Sequence, residues 1–294
     1  MSPPGRPLAP TTEQVESYRA DGFLVVEDFL DHEELEALRD RWPALFAHTW
    51  ETGVAPDEVN YTPGVTPPDL TRQLCNAWKA DRVVAATTLS VRNASFAARL
   101  AGLDGLRIGQ DNLIWKPPSG RPLLAHQDGA YLDWMVPPNM TTCWAALDDT
   151  AADTGTIYYV RGSHRWARSP VGGEFHAPDD WLGHLRSVAP EAADPGGLEL
   201  VPIEVPAGGA AFHDAWTWHG SPANARADAE RRAVISHFID AATRWSPDVA
   251  HPVYSRYRRP EEEEMDEAFF PVAWRADGYR SPWLDRWLGA GAAG

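Results

Sequence analysis

Basic residues are scarce in this chain. Lysine and arginine total 26 against 42 aspartates and glutamates, a formal net charge of −16 over 294 residues. A surface of that sign has no footprint for nucleic-acid phosphates and is repelled by an anionic membrane face. Cysteine is nearly missing as well. Cys75 and Cys143 are the two present, too few for a disulfide framework and not spaced as a zinc clip. Cys143 falls in an apolar strand-like run and is expected to be a buried thiol. No run of about 18 apolar residues offers a membrane span. Residues 1–10 are Pro-rich without an apolar h-region, so no secretory signal is expected. Residues 290–294 lack a Ser-Lys-Leu-type address. The expected setting is the cytoplasm, where thiols and reducible metals stay reduced.

What remains is an ordinary globular composition, 44% hydrophobic and 23% charged. A single domain over 1–294 is expected, with a helical part at about 11–105, a β core at about 106–240 and an unassigned C-terminal extension at 241–294. Thr11-x-x-Gln14 is a capping-box pattern, and Gly22 can end the helix that follows. Asp31-x-x-Glu34 opens a second helix with Leu35, Leu38, Trp42 and Leu45 on one side, and Pro43 is expected to break or kink it. A third helix is expected over roughly 82–100. From Arg107 to Ile239 the chain turns to short β-prone runs punctuated by Gly, Pro and Asp. Helices first and strands later fit a helical layer packed outside a β core. The irregular stretch 162–197 is a candidate lid. Of the fourteen tryptophans, most are expected to pack the core, and those near the motifs below could wall a pocket for a ring-bearing substrate.

The chemistry sits in one short run and its distant partner. His126-Gln127-Asp128 is followed 93 residues after His126 by Trp218-His219-Gly220-Ser221, and then by Arg231-Arg232. In extended chain, residues two apart point to the same face, so His126 and Asp128 aim an imidazole and a carboxylate at one point. His219 can return on another strand as a third ligand. Two neutral nitrogens and one carboxylate on one face suit Fe(II) and leave the opposite positions open. Of the adjacent arginines, only one should enter a barrel interior, because neighbours on a strand face opposite ways.

The flanking segments strengthen this reading. Upstream, Asn112-Leu113-Ile114-Trp115-Lys116 runs into a Pro-Pro-Ser-Gly turn; downstream come Thr142-Cys143-Trp144-Ala145 and Gly155-Thr156-Ile157-Tyr158-Tyr159-Val160. Near the start lies Asp21-Gly22-Phe23-Leu24-Val25-Val26, and past the second ligand run lies Asn224 before Arg231. In this order, from about Thr12 to about Phe238, the chain resembles the phytanoyl-CoA dioxygenase family of Fe(II)- and 2-oxoglutarate-dependent oxygenases. The resemblance implies a mainly β fold with flanking helices, built on a double-stranded β-helix (jelly-roll, cupin-like) core. It also implies Fe(II), 2-oxoglutarate and O2 as cofactor and co-substrates, with release of succinate and CO2. It matches His126, Asp128 and His219 to the iron ligands. Arg231, with Arg232 as its rival, and Ser221 match the anchor of the distal 2-oxoglutarate carboxylate. Trp144 matches an aromatic lining the co-substrate pocket, and Gln110 and Asn112 fall where a polar side chain reaches its other end.

For contact with a small-molecule substrate, Lys116, Gln127, Tyr131, Trp134 and Trp216 are the positions to inspect. His213 is expected behind the ligands or in the core, and His164 in a turn that holds loops together. The leading expectation is hydroxylation of an unactivated C–H bond of a metabolite, in the manner of secondary-metabolism enzymes. The same cofactors also serve desaturation, cyclisation or epimerisation. A cupin-like metal protein without turnover, or a zinc hydrolase, is the reading from another class. Asp128 argues against halogenation, which needs a small residue there. A monomer or homodimer is expected, with no nucleic-acid or membrane partner.

Overall fold

The computed structural model describes residues 9–173, 176, 180–193 and 198–289. Its strands are β1 (Phe23–Val26), β2 (Glu58–Val59), β3 (Arg72–Cys75), β4 (Gly105–Lys116), β5 (Leu123–His126), β6 (Met135–Val136), β7 (Met140–Ala146), β8 (Tyr158–Val160), β9 (Leu200–Pro202), β10 (Ala210–Asp214), β11 (His219–Ser221), β12 (Arg231–Asp240), β13 (Arg244–Trp245) and β14 (Val272–Arg275). Its helices are α1 (Thr12–Asp21), α2 (His32–Phe46), α3 (Arg82–Thr88), α4 (Val91–Ala101), α5 (Gly183–Val188) and α6 (Leu284–Leu288).

Two antiparallel sheets face each other. The larger runs β1-β10-β7-β12-β4-β3-β2, with β14 also on β4; the smaller runs β5-β11-β8-β9. Alternation along each strand sorts side chains to the two faces. On β12, Arg231, Ala233, Ile235 and His237 face the smaller sheet, and Val234 and Phe238 join the core beneath the helices. The inner layer is closed by Phe23, Trp144, Tyr159, Ile203 and Ala211. The outer face of the large sheet is covered by α2, α3 and α4 through Leu38, Trp42, Leu45, Phe96 and Leu100.

The capping signals hold. Thr11 and Gln14 cap α1 reciprocally, and Gly22 closes it at φ +85°; Asp31 and Glu34 do the same for the start of α2. Three expectations need correction. Pro43 does not break α2, which runs on to Phe46. Proline forfeits one hydrogen bond there, but Trp42, Leu45 and Phe46 on the same stretch are buried and hold the turn in place. The single helix expected over 82–100 is two. Ser90 takes extended geometry and its Oγ accepts from Asn93 N, restarting the chain as α4. The part before residue 105 is also not purely helical, since β1, β2 and β3 extend the large sheet on both sides.

The stretch 162–197, a candidate lid or substrate-facing insert, is packed against the smaller sheet over part of its described residues. Leu182 and Leu185 pack with Trp218, Ala125 and Val160, and Trp166 and Trp181 lie against them. No described helix is long and apolar enough to cross a membrane.

The C-terminal extension docks onto the front of the molecule. β14 pairs with β4, and Tyr254, Met265 and Phe270 pack with Trp134 and Trp245. Asp57 pins it. Its carboxylate accepts from Asn76 Nδ2 (2.7 Å), Lys79 Nζ (2.6 Å), Arg256 Nη2 (2.7 Å) and the Tyr257 hydroxyl. Burial opposes the charge on Asp57, but Lys79 and the other donors outweigh it and hold the carboxyl below its usual range. A carboxyl depressed in this way stabilises the fold above its unfolded value near pH ~3.9 and loses that contribution as pH falls through the folded value. Asp57→Asn is expected to cost about 3 kcal/mol in urea unfolding at pH 7, since it leaves a buried Lys79 without its counter-charge. The deficit should shrink as the pH is lowered below about 4; a pH-independent deficit would contradict the assignment.

Candidate metal centre and co-substrate site

β5 and β11 are paired so that His126 and His219 stand directly opposite each other. That register requires close backbone approach: a Cβ added at Gly220 would lie 2.7 Å from Ala125 Cα, which accounts for the glycine of His-Gly-Ser. β5 ends at His126, Gln127 stays extended at φ −109° and ψ 126°, and Asp128 opens a short 3-10 turn. The extended Gln127 preserves the two-residue alternation, so Asp128 returns to the face of His126.

Asp128 Oδ1 lies 3.2 Å from His126 Nε2 and 3.4 Å from His219 Nε2. Each ring's Nδ1 is 2.9 Å from a main-chain carbonyl, Leu124 O for His126 and Thr217 O for His219. Those carbonyls require Nδ1–H, leaving both Nε2 lone pairs aimed at the carboxylate oxygen. All three side chains are buried, and one donor atom from each falls within 4.8 Å of the others. Like-sign electron pairs converging in a buried place fit a cation between them, as expected of Fe(II) with a facial set of ligands.

The second oxygen of Asp128 is held from behind. His213 Nε2 donates to Oδ2 at 3.0 Å while its Nδ1 faces the Tyr159 hydroxyl at 2.8 Å. Thr142 Oγ1 donates to the same oxygen at 3.1 Å. Thr142 in turn accepts from His237 Nδ1 at 2.9 Å, and His237 Nε2 accepts from Asn112 Nδ2 at 3.0 Å. Gln110 Nε2 donates to Asn112 Oδ1 at 2.6 Å, and the Tyr254 hydroxyl donates to Gln110 Oε1. The donors all point one way, from the C-terminal extension to Asp128. Burial drives the His213 pKa down to about 3 and lowers that of His237, disfavouring the charged form of both rings. Burial also opposes the charge on Asp128, but the surrounding histidines, with His213 donating to Oδ2, hold that carboxyl well below its usual range.

A narrow cavity of about 80 Å³ leads from these residues between the sheets to Trp144, Ser221 and Arg231. Arg231 is 2% exposed. Its Nη2 donates to Gly155 O at 3.2 Å, and its Nε has no partner. Burial pulls its pKa down to about 10. Arg232 faces outward and makes a two-pronged pair with Asp148 at 2.6 and 3.0 Å. Alternation therefore puts Arg231, not Arg232, in the interior, with a guanidinium edge available for a carboxylate.

The remaining sequence candidates divide. Trp144 and Asn112 line the narrow cavity. Tyr131 and Trp134 line a second, wider one. Gln110 lines only the wider one, so it meets the co-substrate side through Asn112 rather than directly. Three substrate candidates are corrected. Lys116 is fully buried opposite Arg231 on β4, and its Nζ donates to Ser221 Oγ (2.6 Å) and Pro222 O (2.5 Å). Burial and Arg231 together push its pKa well down. Gln127 points away from the cavities, bonded to Trp216 O and Ser169 N. Trp216 is packed against Gly129 and under Arg168. In each case the strand period gives the face but not which face of a turn or sheet the cavity occupies.

Sequence reading missed His237 and Thr142. The signal was there: both lie at inward positions, two after Ile235 and two before Trp144. It also missed the wall supplied by His251 and Tyr254, which no periodicity in the extension marks.

Two outcomes are expected. Arg231→Ala should weaken 2-oxoglutarate binding by about 3 kcal/mol, roughly a hundredfold in Kd, whereas Arg232→Ala should leave it within a few-fold. Calorimetric titration of 2-oxoglutarate into metal-loaded protein distinguishes them. Thr142→Val keeps the shape but strips Asp128 Oδ2 of one donor, and should lower metal affinity by about tenfold or more in chelator competition.

Comparison with known proteins agrees with this architecture. The model of the phytanoyl-CoA dioxygenase (PhyH) family matches residues 18–233. Phytanoyl-CoA dioxygenase domain-containing protein 1 of Bos taurus is 26% identical over 80% of this chain and 92% of its own length. A probable alpha-ketoglutarate-dependent hypophosphite dioxygenase of Stutzerimonas stutzeri is 28% identical over 72% of this chain and 73% of its own. Among solved structures, the non-heme alpha ketoglutarate dependent carbocyclase SnoK from nogalamycin biosynthesis superposes with a TM-score of 0.68 at 25% identity, covering 90% of this chain and 96% of that one. The jelly-roll core with flanking helices and the iron and 2-oxoglutarate chemistry implied by the sequence are those of these relatives, and this chain belongs to the phytanoyl-CoA dioxygenase family.

Proposed function

We propose that this iron- and 2-oxoglutarate-dependent oxygenase hydroxylates an unactivated C–H bond of a small-molecule metabolite, with His126, Asp128 and His219 as its iron ligands. The observation that supports this most is the pairing of a buried two-histidine, one-carboxylate cluster with a buried guanidinium that lacks a carboxylate of its own. A zinc hydrolase has no use for that second feature.

Fe(II) with 2-oxoglutarate and O2 supplies an oxidant strong enough to take hydrogen from carbon, and releases succinate and CO2. The chain's own residues do the rest. His126 and His219 present neutral nitrogens because Leu124 O and Thr217 O hold their other protons. Asp128 turns one oxygen inward because His213 and Thr142 hold the other. Arg231 fixes the far carboxylate of 2-oxoglutarate, beside Trp144. Ser221 is positioned for the same task by Lys116. The wider cavity of about 360 Å³, of a size usual for a metabolite, reaches His126 and Asp128 from the side of Tyr131 and Trp134. Its walls keep one part of the substrate near the ligands and water away from the rest.

Similarity to the SnoK carbocyclase supports a second outcome at the same site, ring closure in place of hydroxylation. One domain over the whole chain, a cytoplasmic setting in which Fe(II) stays reduced, and a monomer or homodimer complete the reading.

Anaerobic addition of Fe(II) and 2-oxoglutarate is expected to give a weak visible charge-transfer band. On aeration, succinate should be released, and Asp128→Ala should abolish that release while circular dichroism stays unchanged. A folded, metal-loaded parent with neither band nor succinate would overturn the proposal. Product mass separates the outcomes: one oxygen gained for hydroxylation, two hydrogens lost for ring closure.

A further inference from the structure

The wider cavity carries an asymmetry of charge. Apart from Asp128, its one acidic lining residue is Glu58, and no lysine or arginine lines it among the described residues. Besides His126, two further histidines line it, His237 and His251, and burial disfavours the charged form of both. Glu58 is half-buried, and no hydrogen bond or ion pair reaches its carboxylate from the described residues.

The absence of a partner has a cause. Asp57, next in the chain, faces the other way and gathers the nearby cations, Lys79 and Arg256. Burial and the Asp57 charge together raise the Glu58 pKa, against a smaller pull from Arg256. A partly desolvated carboxylate left alone at a cavity wall is costly. That cost is recovered when a ligand brings the counter-charge.

The rest of the wall is aromatic and apolar. Trp134 lies 5.4 Å from Tyr254, and Tyr254 stacks on His251 at 4.6 Å; Leu132, Met135 and Met140 complete that side. Aromatic faces attract cations as well as covering apolar bodies. The register gives the depth. Glu58 stands opposite Cys75 on β3, and Cys75 opposite Asn112 on β4. Two strand spacings make roughly 10 Å from Glu58 to Asn112, one of the residues that line both cavities.

Resting on the oxygenase reading above, we propose that the substrate is an apolar, ring-bearing amine whose protonated nitrogen is held by Glu58, at the end of the cavity remote from the iron ligands. Anionic substrates, acyl thioesters of phosphorylated carriers among them, are disfavoured by the same wall. Glu58 is thus a specificity-determining residue, not a catalytic one.

The test uses three probes that share a ring and chain and differ in charge: 4-phenylbutylamine, 4-phenylbutanol and 4-phenylbutyrate. Each is titrated calorimetrically, without oxygen, into protein loaded with Fe(II) and 2-oxoglutarate. The amine is expected to bind at least tenfold tighter than the alcohol, and the carboxylate most weakly. Glu58→Gln should erase the preference for the amine and leave the alcohol unchanged. Glu58→Lys should turn the preference toward the carboxylate. Failure of the amine to bind saturably, equal binding of amine and alcohol in the parent, or a preference that survives Glu58→Gln would overturn the proposal. The charge-transfer band of the same samples reports separately on the oxygenase site: its loss condemns that reading, whereas an intact band with no amine preference condemns only this one.

Discussion

Asp128 is a charge buried where two sheets meet, and the surrounding structure is arranged to keep it there. One oxygen faces the two imidazoles and the other is held by His213 and Thr142. Each of those groups is itself held, by Leu124 O, Thr217 O, Tyr159 or His237. A buried carboxylate without such support would take up a proton and cease to bind a metal. The demand reaches far into the fold: the register of β5 on β11, the extended Gln127 and the inward faces of β7, β10 and β12 are all conditions for it.

The same arrangement separates two cavities with opposite electrostatic character. The narrow one ends at the buried guanidinium of Arg231. The wide one is bounded by Asp128 and Glu58 and by neutral groups. A dicarboxylate is drawn to the first and repelled by the second. On the proposed reading, co-substrate and substrate are sorted by charge as well as by shape, with Asn112 and His237 lining both cavities.

Much of this was legible in the sequence, for reasons that differ by residue. His-x-Asp and the choice of Arg231 over Arg232 follow from strand alternation, a local rule that survives whatever the tertiary context. Thr11, Gln14, Asp31 and Glu34 mark helix starts by chemistry confined to four residues. Ser90 carried a comparable signal that the long apolar run around it obscured. Lys116, Gln127 and Trp216 were misplaced because nearness in sequence to a ligand says nothing about which side of a sheet or turn opens onto a cavity. His251 and Tyr254 were beyond reach because they meet Trp134 and Gln110 far along the chain, and Glu58 because its place on the wall is set by the pairing of β2 on β3 and of β3 on β4. Lys79 and Asp57, 22 residues apart, have the same character: neither announces the other in sequence.

The family match ends at Arg-rich β12, at residue 233, whereas His251, Pro252, Val253 and Tyr254 of the cavity wall lie after it. One side of that cavity is therefore built by polypeptide beyond the matched stretch. The proposed iron ligands and Arg231 lie within the matched part. The wall of the wider cavity is shared: Glu58, Tyr131 and Trp134 come from the matched part, and His251 and Tyr254 from the extension, which is held by Asp57, by the pairing of β14 on β4 and by the packing of Tyr254 and Phe270. Changes at His251, Pro252, Val253 and Tyr254 would reshape one side of the cavity without altering a proposed metal ligand.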